Sequence, residues 1–244
     1  MKGGMNPFAR AAQIYRTRGF GSMLQAGFRV VFGWPFRLAG YWRSRWFRSG
    51  ETFTFQGRAY SYFFHRHNTT WRNERSVEVP IIHALVKARP PDRVLEIGNV
   101  LRHYFSVSHD VVDKYEQAAG VINEDVVDYR PAKKYDLIVA ISTLEHVGWD
   151  ERPKDPAKIL RAINNLKTCL APGGKIIVTM PIGENPHLDE LLKNGQISFS
   201  HKTCLKRLSK RNEWAEAPWE QVRELKYNSP FPKANGIVVG TLDA

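Results

Sequence analysis

Short runs of almost wholly apolar residues recur through the second half of the chain. Strands that are buried on both faces have this character, because every side chain then meets the protein interior. The runs predict strands at 93–97, 109–113, within 120–127, at 137–141, at 175–180 and around 237–240. Ahead of them, residues 52–62 alternate between apolar and polar positions, as a short hairpin does.

Helical spacing separates several of these runs. One helix is expected from Ser76 to the stop at Pro90, and Asp155 is expected to cap a second. The apolar positions of the second helix share one face, namely Ile159, Leu160, Ile163, Leu166 and Leu170. Two glycines after Pro172 end it. Alternating strands and helices predict an α/β fold with a doubly wound, mostly parallel sheet.

Charge is unevenly distributed along the chain. The 244 residues carry a net charge of +12, and residues 1–50 contain nine basic residues and no acid. We therefore predict a basic aromatic N-terminal segment at 1–50, a linker or lid at 51–78 and a main domain at 79–244. An apolar content of 43% is enough for a folded core. The two cysteines, Cys169 and Cys204, lack the spacing of a disulfide framework or a zinc site.

Aromatic rings alternate with arginines between Phe28 and Phe47 of the N-terminal segment. Three interpretations are open: helices packed on the main domain, contact with an anionic membrane surface and, ranked third, nucleic-acid binding. The longest apolar run, 30–36, is far below the roughly 20 residues of a membrane span, and arginines interrupt any signal-peptide core. We expect a cytoplasmic protein that associates with the inner face of a membrane through residues 1–50.

Four acidic residues stand where predicted strands end or begin: Glu96, Asp113, Asp125 and Asp136. The carboxyl ends of parallel strands meet at one edge of a sheet, and ligands bind in the crevice at that edge. Carboxylates placed there accept hydrogen bonds from hydroxyl and amino groups. The pattern predicts a nucleoside-bearing cofactor, and its detail points to S-adenosylmethionine.

Five segments in order resemble the class I S-adenosylmethionine-dependent methyltransferases over residues 79–244. They are VLEIG, VVDKYE, INEDVVDY, YDLIVAISTLEHVG and LAPGGKIIVTMPIG. No segment is specific alone, but the set occurs in the right order with suitable spacing between its acids. The family usually gives the acid at the position of Asp136 a structural role, so we leave it out of the site.

The resemblance implies a role for each remaining acid. Glu96 is expected to accept from the methionine ammonium group of the cofactor. Asp113 is expected to accept from both ribose hydroxyls, with Glu116 as the alternative. Asp125 is expected to accept from the adenine amine, with Asp128 as the competitor.

The loop after the first predicted strand departs from the family. The family commonly has G-x-G-x-G there, and this chain keeps only the first glycine, Gly98. Gly98 is expected to let the backbone turn closely under the cofactor. Asn99 is expected to supply the missing flexibility through left-handed backbone angles. The missing glycines leave open a methyltransferase fold that no longer binds cofactor, and they count against nicotinamide binding.

The segment at 142–149 leaves the sheet on the ligand side. Ser142 and Leu144 are expected to contact the cofactor. His146 and Glu145 are the candidate catalytic residues, because an imidazole can take a proton from an acceptor hydroxyl; alternatively, the pair only orients the loop. Some quinone-pathway O-methyltransferases bind a divalent metal through similar Leu-Glu-His residues and a further Glu. Ser142 stands in place of that Glu, so no metal is expected. The activated cofactor makes a catalytic base dispensable.

The acceptor is defined only by class. The segment lacks the acid- or Asn-Pro-Pro-aromatic motif of enzymes that methylate adenine or glutamine amides. We expect O-methylation of a small-molecule, glycan or lipid-linked acceptor, in a pocket shaped by 60–75, 142–150 and 181–203. Candidates for a lid are His65, His67, Trp71, Asn73 and Arg75. Two alternatives stay open: a non-catalytic binding or scaffold protein with this fold, and an RNA-directed methyltransferase that uses the basic arm.

Overall fold

The structure is a computed structural model that describes residues 38–243. Its strands are β1 (Thr52–Phe55), β2 (Arg58–Ser61), β3 (Val94–Ile97), β4 (Asp110–Val112), β5 (Val121–Ile122), β6 (Tyr135–Ile141), β7 (Leu170–Pro181), β8 (His201–Arg207), β9 (Trp214–Ala217) and β10 (Gly236–Asp243). Its helices are α1 (38–47), α2 (Arg75–Lys87), α3 (Lys158–Thr168), α4 (Pro186–Lys193) and α5 (Trp219–Val222).

Eight strands form one sheet in the order β5-β4-β3-β6-β7-β10-β8-β9. The five strands from β5 to β7 run parallel, whereas β10 is antiparallel to both β7 and β8. Strands β1 and β2 form the expected separate hairpin. The prediction of a doubly wound, mostly parallel α/β sheet is therefore confirmed.

The sheet has an apolar core on each face. Neighbouring residues of a strand point to opposite faces, so Leu95 joins one core cluster and Val94 joins the other. Helix α3 covers the first cluster with Ile159 and Ile163, and α2 covers the second with Ile81 and its neighbours. Burial on both faces is the physical reason why these strands are apolar at nearly every position.

Two predicted boundaries around α3 are wrong. The helix begins at Lys158 after an Ala157 cap position, three residues beyond the predicted cap at Asp155. Leu170 belongs to β7, which runs through the glycine pair that was expected to separate helix from strand. A side chain at Gly174 would lie 2.7 Å from the carbonyl oxygen of Tyr135, so the glycine permits β7 to pair closely with β6 there.

Helix α1 contains the described part of the basic N-terminal segment. Its Tyr41 ring lies 5.8 Å from the Trp71 ring, so the helix packs on the 51–78 segment. Its Trp42, Trp46 and Phe47 side chains are nevertheless exposed. Residues 1–37 of that segment, including the apolar run at 30–36, lie outside the described residues. No helix within 38–243 has the length and apolar character that a membrane crossing requires.

Candidate active site

A cleft of about 710 Å³ lies at the carboxyl edge of β3, β4 and β6. This volume is within the range of about 300–1,000 Å³ that is usual for small-molecule sites. The predicted site residues that line it are Gly98, Asn99, Asp113, Asp125, Ser142 and His146. The parallel order of the three strands explains why residues so distant in sequence share one wall.

Gly98 makes the turn that leaves β3. Its φ is +82°, and a side chain at this position would collide with that of Thr143. Asn99 is absent from the residues with positive φ, so the expectation that it adopts left-handed angles is wrong. A single left-handed residue is enough for this turn, because a 3-10 turn begins at Leu101 and carries the chain away.

Glu96 is fully buried beneath that turn. One carboxylate oxygen accepts from the backbone amides of Val100 and Leu101 at 2.9 and 2.7 Å. The other lies 2.8 Å from Nε2 of His109. Glu96 therefore holds the turn in shape and is not among the cleft-lining residues. Its contact with the cofactor ammonium stays a prediction.

Asp113 is fixed at the end of β4 by backbone amides. Its Oδ1 accepts from the N–H groups of Tyr115 and Glu116 at 2.8 and 2.7 Å, and its Oδ2 accepts from that of Asn99 at 3.2 Å. Glu116 accepts from the Asn99 side-chain amide at 3.0 Å. Asp113 and Glu116 thus reach the cleft together, while the buried Asn99 Oδ1 has no hydrogen-bond partner among the residues that the structure describes.

Asp125 belongs to an ion cluster. Its Oδ2 lies 2.6 Å from Nζ of Lys158 and 2.8 Å from Nζ of Lys114, and Glu151 contacts both lysines. Partial burial acts to raise the pKa of Asp125, but the lysine hydrogen bonds outweigh it and lower the pKa to about 2. Asp125 lines the cleft, whereas its sequence competitor Asp128 is exposed and does not. Nothing in the sequence spacing indicates this cluster.

Ser142 and Leu144 differ in their surroundings. Ser142 lines the cleft, and its hydroxyl donates to Oε1 of the buried Glu78 at 2.5 Å. Arg75 donates to Glu78 at 2.8 Å and to the carbonyl oxygen of Ile141 at 2.9 Å. Leu144 is buried in the core instead and is not among the cleft-lining residues. Its predicted cofactor contact remains untested.

Glu145 and His146 follow in a short 3-10 turn. Glu145 is fully buried, and within the described part of the chain neither carboxylate oxygen has a hydrogen-bond partner. Burial raises its pKa well above the usual range. His146 lines the cleft with 44% of its side chain exposed. Its Nδ1 lies 3.0 Å from Asp150, and its Nε2 lies 3.8 Å from Glu145 Oε1, too far for a hydrogen bond.

Glu184 also reaches this point, from the loop between β7 and α4. One carboxylate oxygen or imidazole nitrogen from each of Glu145, His146 and Glu184 lies within 4.8 Å of the other two. The prediction places the loop at 181–203 near the acceptor, but no sequence pattern singles out Glu184. A distant residue of this kind has no local spacing pattern that links it to the other two.

The predicted lid residues separate into two groups. His67 and Arg75 line the cleft, and the His67 ring stacks on that of His103 with centroids 4.3 Å apart. Trp71 and Asn73 are buried below the surface. His65 packs beside the Tyr104 ring at 5.2 Å. Part of the 60–75 segment therefore borders the cleft, and the rest supports it.

Comparison with known proteins gives one family match. The family model described as a methyltransferase domain matches residues 65–217. Among curated proteins, the search found no match.

Many solved structures are similar to this chain at low identity. The N-methyltransferase NodS from Bradyrhizobium japonicum WM9, in complex with S-adenosyl-L-homocysteine, is 13% identical with a TM-score of 0.44, covering 69% of this chain and 85% of that chain. The sugar N-methyltransferase KedS8 from Streptoalloteichus sp ATCC 53650 is 11% identical (TM-score 0.34, 68% and 87% covered). An S-adenosylmethionine-dependent methyltransferase from Clostridium acetobutylicum ATCC 824 is 10% identical (TM-score 0.36, 86% and 99% covered).

Proposed function

Because the chain belongs to the class I S-adenosylmethionine-dependent methyltransferase family, we propose that it methylates an oxygen of a small-molecule, glycan or lipid-linked acceptor. S-adenosylmethionine supplies a methyl group on a positively charged sulfur, which leaves as a neutral thioether. The observation that carries the proposal is one cleft that joins Asp113 and Asp125 to His146. The acids proposed to hold the cofactor and the proposed acceptor site therefore line the same cleft.

The residues present fit this cofactor. Three backbone amides fix the Asp113 carboxylate beside Glu116, which suits two adjacent ribose hydroxyls. Asn99 Oδ1 is a buried acceptor without a partner and suits an ammonium or amino donor. Both lysines contact Oδ2 of Asp125, which leaves the carboxylate a limited capacity to accept a hydrogen bond from an adenine amine.

The acceptor hydroxyl has to lose its proton as the new carbon–oxygen bond forms. Glu145 and His146 are the groups placed to promote that loss, and Asp150 orients the His146 ring through Nδ1. Alignment of the two reactants and exclusion of water supply the rest of the rate enhancement, because the donor is already activated.

Titration of the full chain with S-adenosylmethionine tests the cofactor part. We expect one saturable site, with binding weakened by about tenfold or more in Asp113→Ala, a loss of about 1.4 kcal/mol. Asp128→Ala removes an exposed carboxylate outside the cleft and is the matched control. Thermal unfolding of both variants checks that the fold is retained.

Absence of binding at about 1 mM cofactor contradicts the proposal and favours the non-catalytic alternative. A panel of hydroxyl and amine acceptors then tests the oxygen assignment through formation of the demethylated cofactor. If only the amines are methylated, the assignment of oxygen as the methylated atom is wrong. RNA affinity that falls steeply with salt and is lost on deletion of residues 1–50 supports the RNA-directed alternative.

We also propose that the protein is cytoplasmic and binds the inner face of a membrane through α1. The proposal is supported by the exposed Trp42, Trp46 and Phe47 side chains, which stand beside the exposed Arg43 and Arg45. Aromatic rings enter the headgroup region of a bilayer, and arginines meet anionic lipid there.

A further inference from the structure

Three side chains converge at the end of the 142–149 segment without contacting one another closely. Glu145, His146 and Glu184 place one donor atom each within a span of 4.8 Å. The shortest measured approach between the first two is 3.8 Å, which is longer than a hydrogen bond. Oxygen and nitrogen atoms at these separations leave between them a space of the size that a small cation occupies.

Glu145 supplies an independent reason to expect a ligand there. Its carboxylate is completely buried and has no hydrogen-bond partner among residues 38–243, and a buried acid in that state is costly. The neighbouring Arg75 attracts this carboxylate through its charge alone, because its guanidinium donates its hydrogen bonds to Glu78 and to the carbonyl oxygens of Ile141 and Ser142. A cation bound at Glu145 supplies the missing partner.

Neighbouring residues hold all three groups in position. The side-chain amide of Asn185 donates to the Glu145 carbonyl oxygen at 2.7 Å, which ties the loop of Glu184 to the turn of Glu145. Asp189 accepts from the Gly183 amide at 3.1 Å, just before Glu184. Asp150 occupies His146 Nδ1 and leaves Nε2 for a ligand. Such supporting contacts are typical of residues that coordinate metals.

We propose that Glu145, His146 and Glu184 bind one divalent cation. Two carboxylates and one imidazole suit Mn²⁺ or a similar first-row ion. Ser142 does not take part, since its hydroxyl is bonded to Glu78. This proposal differs from the expectation that the chain has no metal, because Glu184 contributes the second carboxylate from another loop.

The role of the ion rests on the methyltransferase activity proposed above. Three protein donors leave coordination positions open, and His146 places the ion at the cleft wall. With Glu145 and His146 bound to the ion, the ion takes over the role in proton loss that was given to them above: an acceptor hydroxyl bound to the ion becomes more acidic and releases its proton to water. The oxygen electron pair then forms the bond to the methyl carbon, and the carbon–sulfur electron pair goes to sulfur.

Titration of the full chain with Mn²⁺, after dialysis against a chelator and without cofactor, tests the site. We expect one ion per chain, with affinity reduced tenfold or more in Glu145→Gln and in Glu184→Gln. Glu190→Gln makes the same chemical change on the exposed side of α4 and should bind Mn²⁺ like the unaltered protein. Circular dichroism of each variant checks folding. If either the Glu145 or the Glu184 variant misfolds, the other variant still tests the proposal.

Two results overturn the proposal. One is the absence of a saturable Mn²⁺ site, and the other is unchanged Mn²⁺ affinity in both Glu145→Gln and Glu184→Gln. Titration with S-adenosylmethionine in the absence of metal is scored separately. If the chain binds Mn²⁺ but not S-adenosylmethionine, the methyltransferase proposal is rejected and the cation site stands. If it binds S-adenosylmethionine but not Mn²⁺, only the cation site is rejected.

Discussion

The turn after β3 depends on the absence of a side chain at Gly98. The residue combines a φ of +82° with a position where a methyl group would meet the side chain of Thr143. We predict that Gly98→Ala lowers the free energy of unfolding by about 1–2 kcal/mol for the left-handed backbone, with about 1–3 kcal/mol more for the collision. Urea unfolding measures the loss.

Gly173→Ala is the matched control for this change. Gly173 has a φ of +76°, but an added methyl group there has nothing within 4 Å. The control should therefore show the backbone cost without the collision. Equal losses in the two variants contradict the role given to Thr143.

At the scale of single residues, strand-end acids were predictable and their partners were not. Asp113 follows a buried strand, and that position alone placed it at the cleft. Glu96 has the same kind of position, yet its contacts to His109 and the turn amides depend on how the loop folds back. Glu184 and Lys158 join their clusters through tertiary packing, which leaves no periodic trace in the sequence.

At the scale of elements, Asp189 links the first turn of α4 to the loop before it. Burial raises its pKa to about 6, although the Gly183 amide partly opposes the shift. A raised pKa means that the folded protein favours the protonated acid. This stabilising contribution is complete below about pH 4 and is lost as the pH rises through about 6.

We predict that Asp189→Asn removes this pH dependence. The free energy of unfolding of the unaltered protein should fall relative to the variant, by on the order of 1 kcal/mol, between about pH 4 and pH 7. Urea unfolding at the two pH values measures the difference. Asp92→Asn makes the same chemical change at an exposed residue outside α4, and this control should show the same pH dependence as the unaltered protein. Parallel curves for the unaltered chain and Asp189→Asn contradict the assignment.

The sequence predicted elements well where burial is uniform. Strands β3, β4, β6 and β10 lie in continuous apolar runs, and each was located within a few residues. The pattern fails for β8 and β9, which are charged or polar at several exposed positions near the sheet edge. Helix α4 was missed because eight residues give only two turns of periodicity.

At the scale of the whole molecule, the exposed aromatic residues of α1 predict membrane binding that is separable from the fold. We expect the full chain to sediment with vesicles containing phosphatidylserine. Replacing Trp42, Trp46 and Phe47 together with serine should weaken that binding by about tenfold or more, because the rings are the part that enters the interface.

Leu208→Ser removes another exposed apolar side chain, far along the sequence from α1, and is the control. Its vesicle binding should match that of the unaltered protein. If the serine triple variant also binds vesicles normally, or if the unaltered chain does not bind anionic vesicles, α1 is not a membrane-binding element. Thermal unfolding of the triple variant separates lost binding from lost packing on Trp71.

The position of β10 has a consequence for how this chain is made. The strand lies between β7 and β8, although it follows both in sequence. During synthesis those two strands leave the ribosome first, with the edges that will pair with β10 still open. Open strand edges invite pairing with other chains. The sheet is therefore complete only once β10 has emerged, and until then the open edges of β7 and β8 are exposed to pairing with other chains.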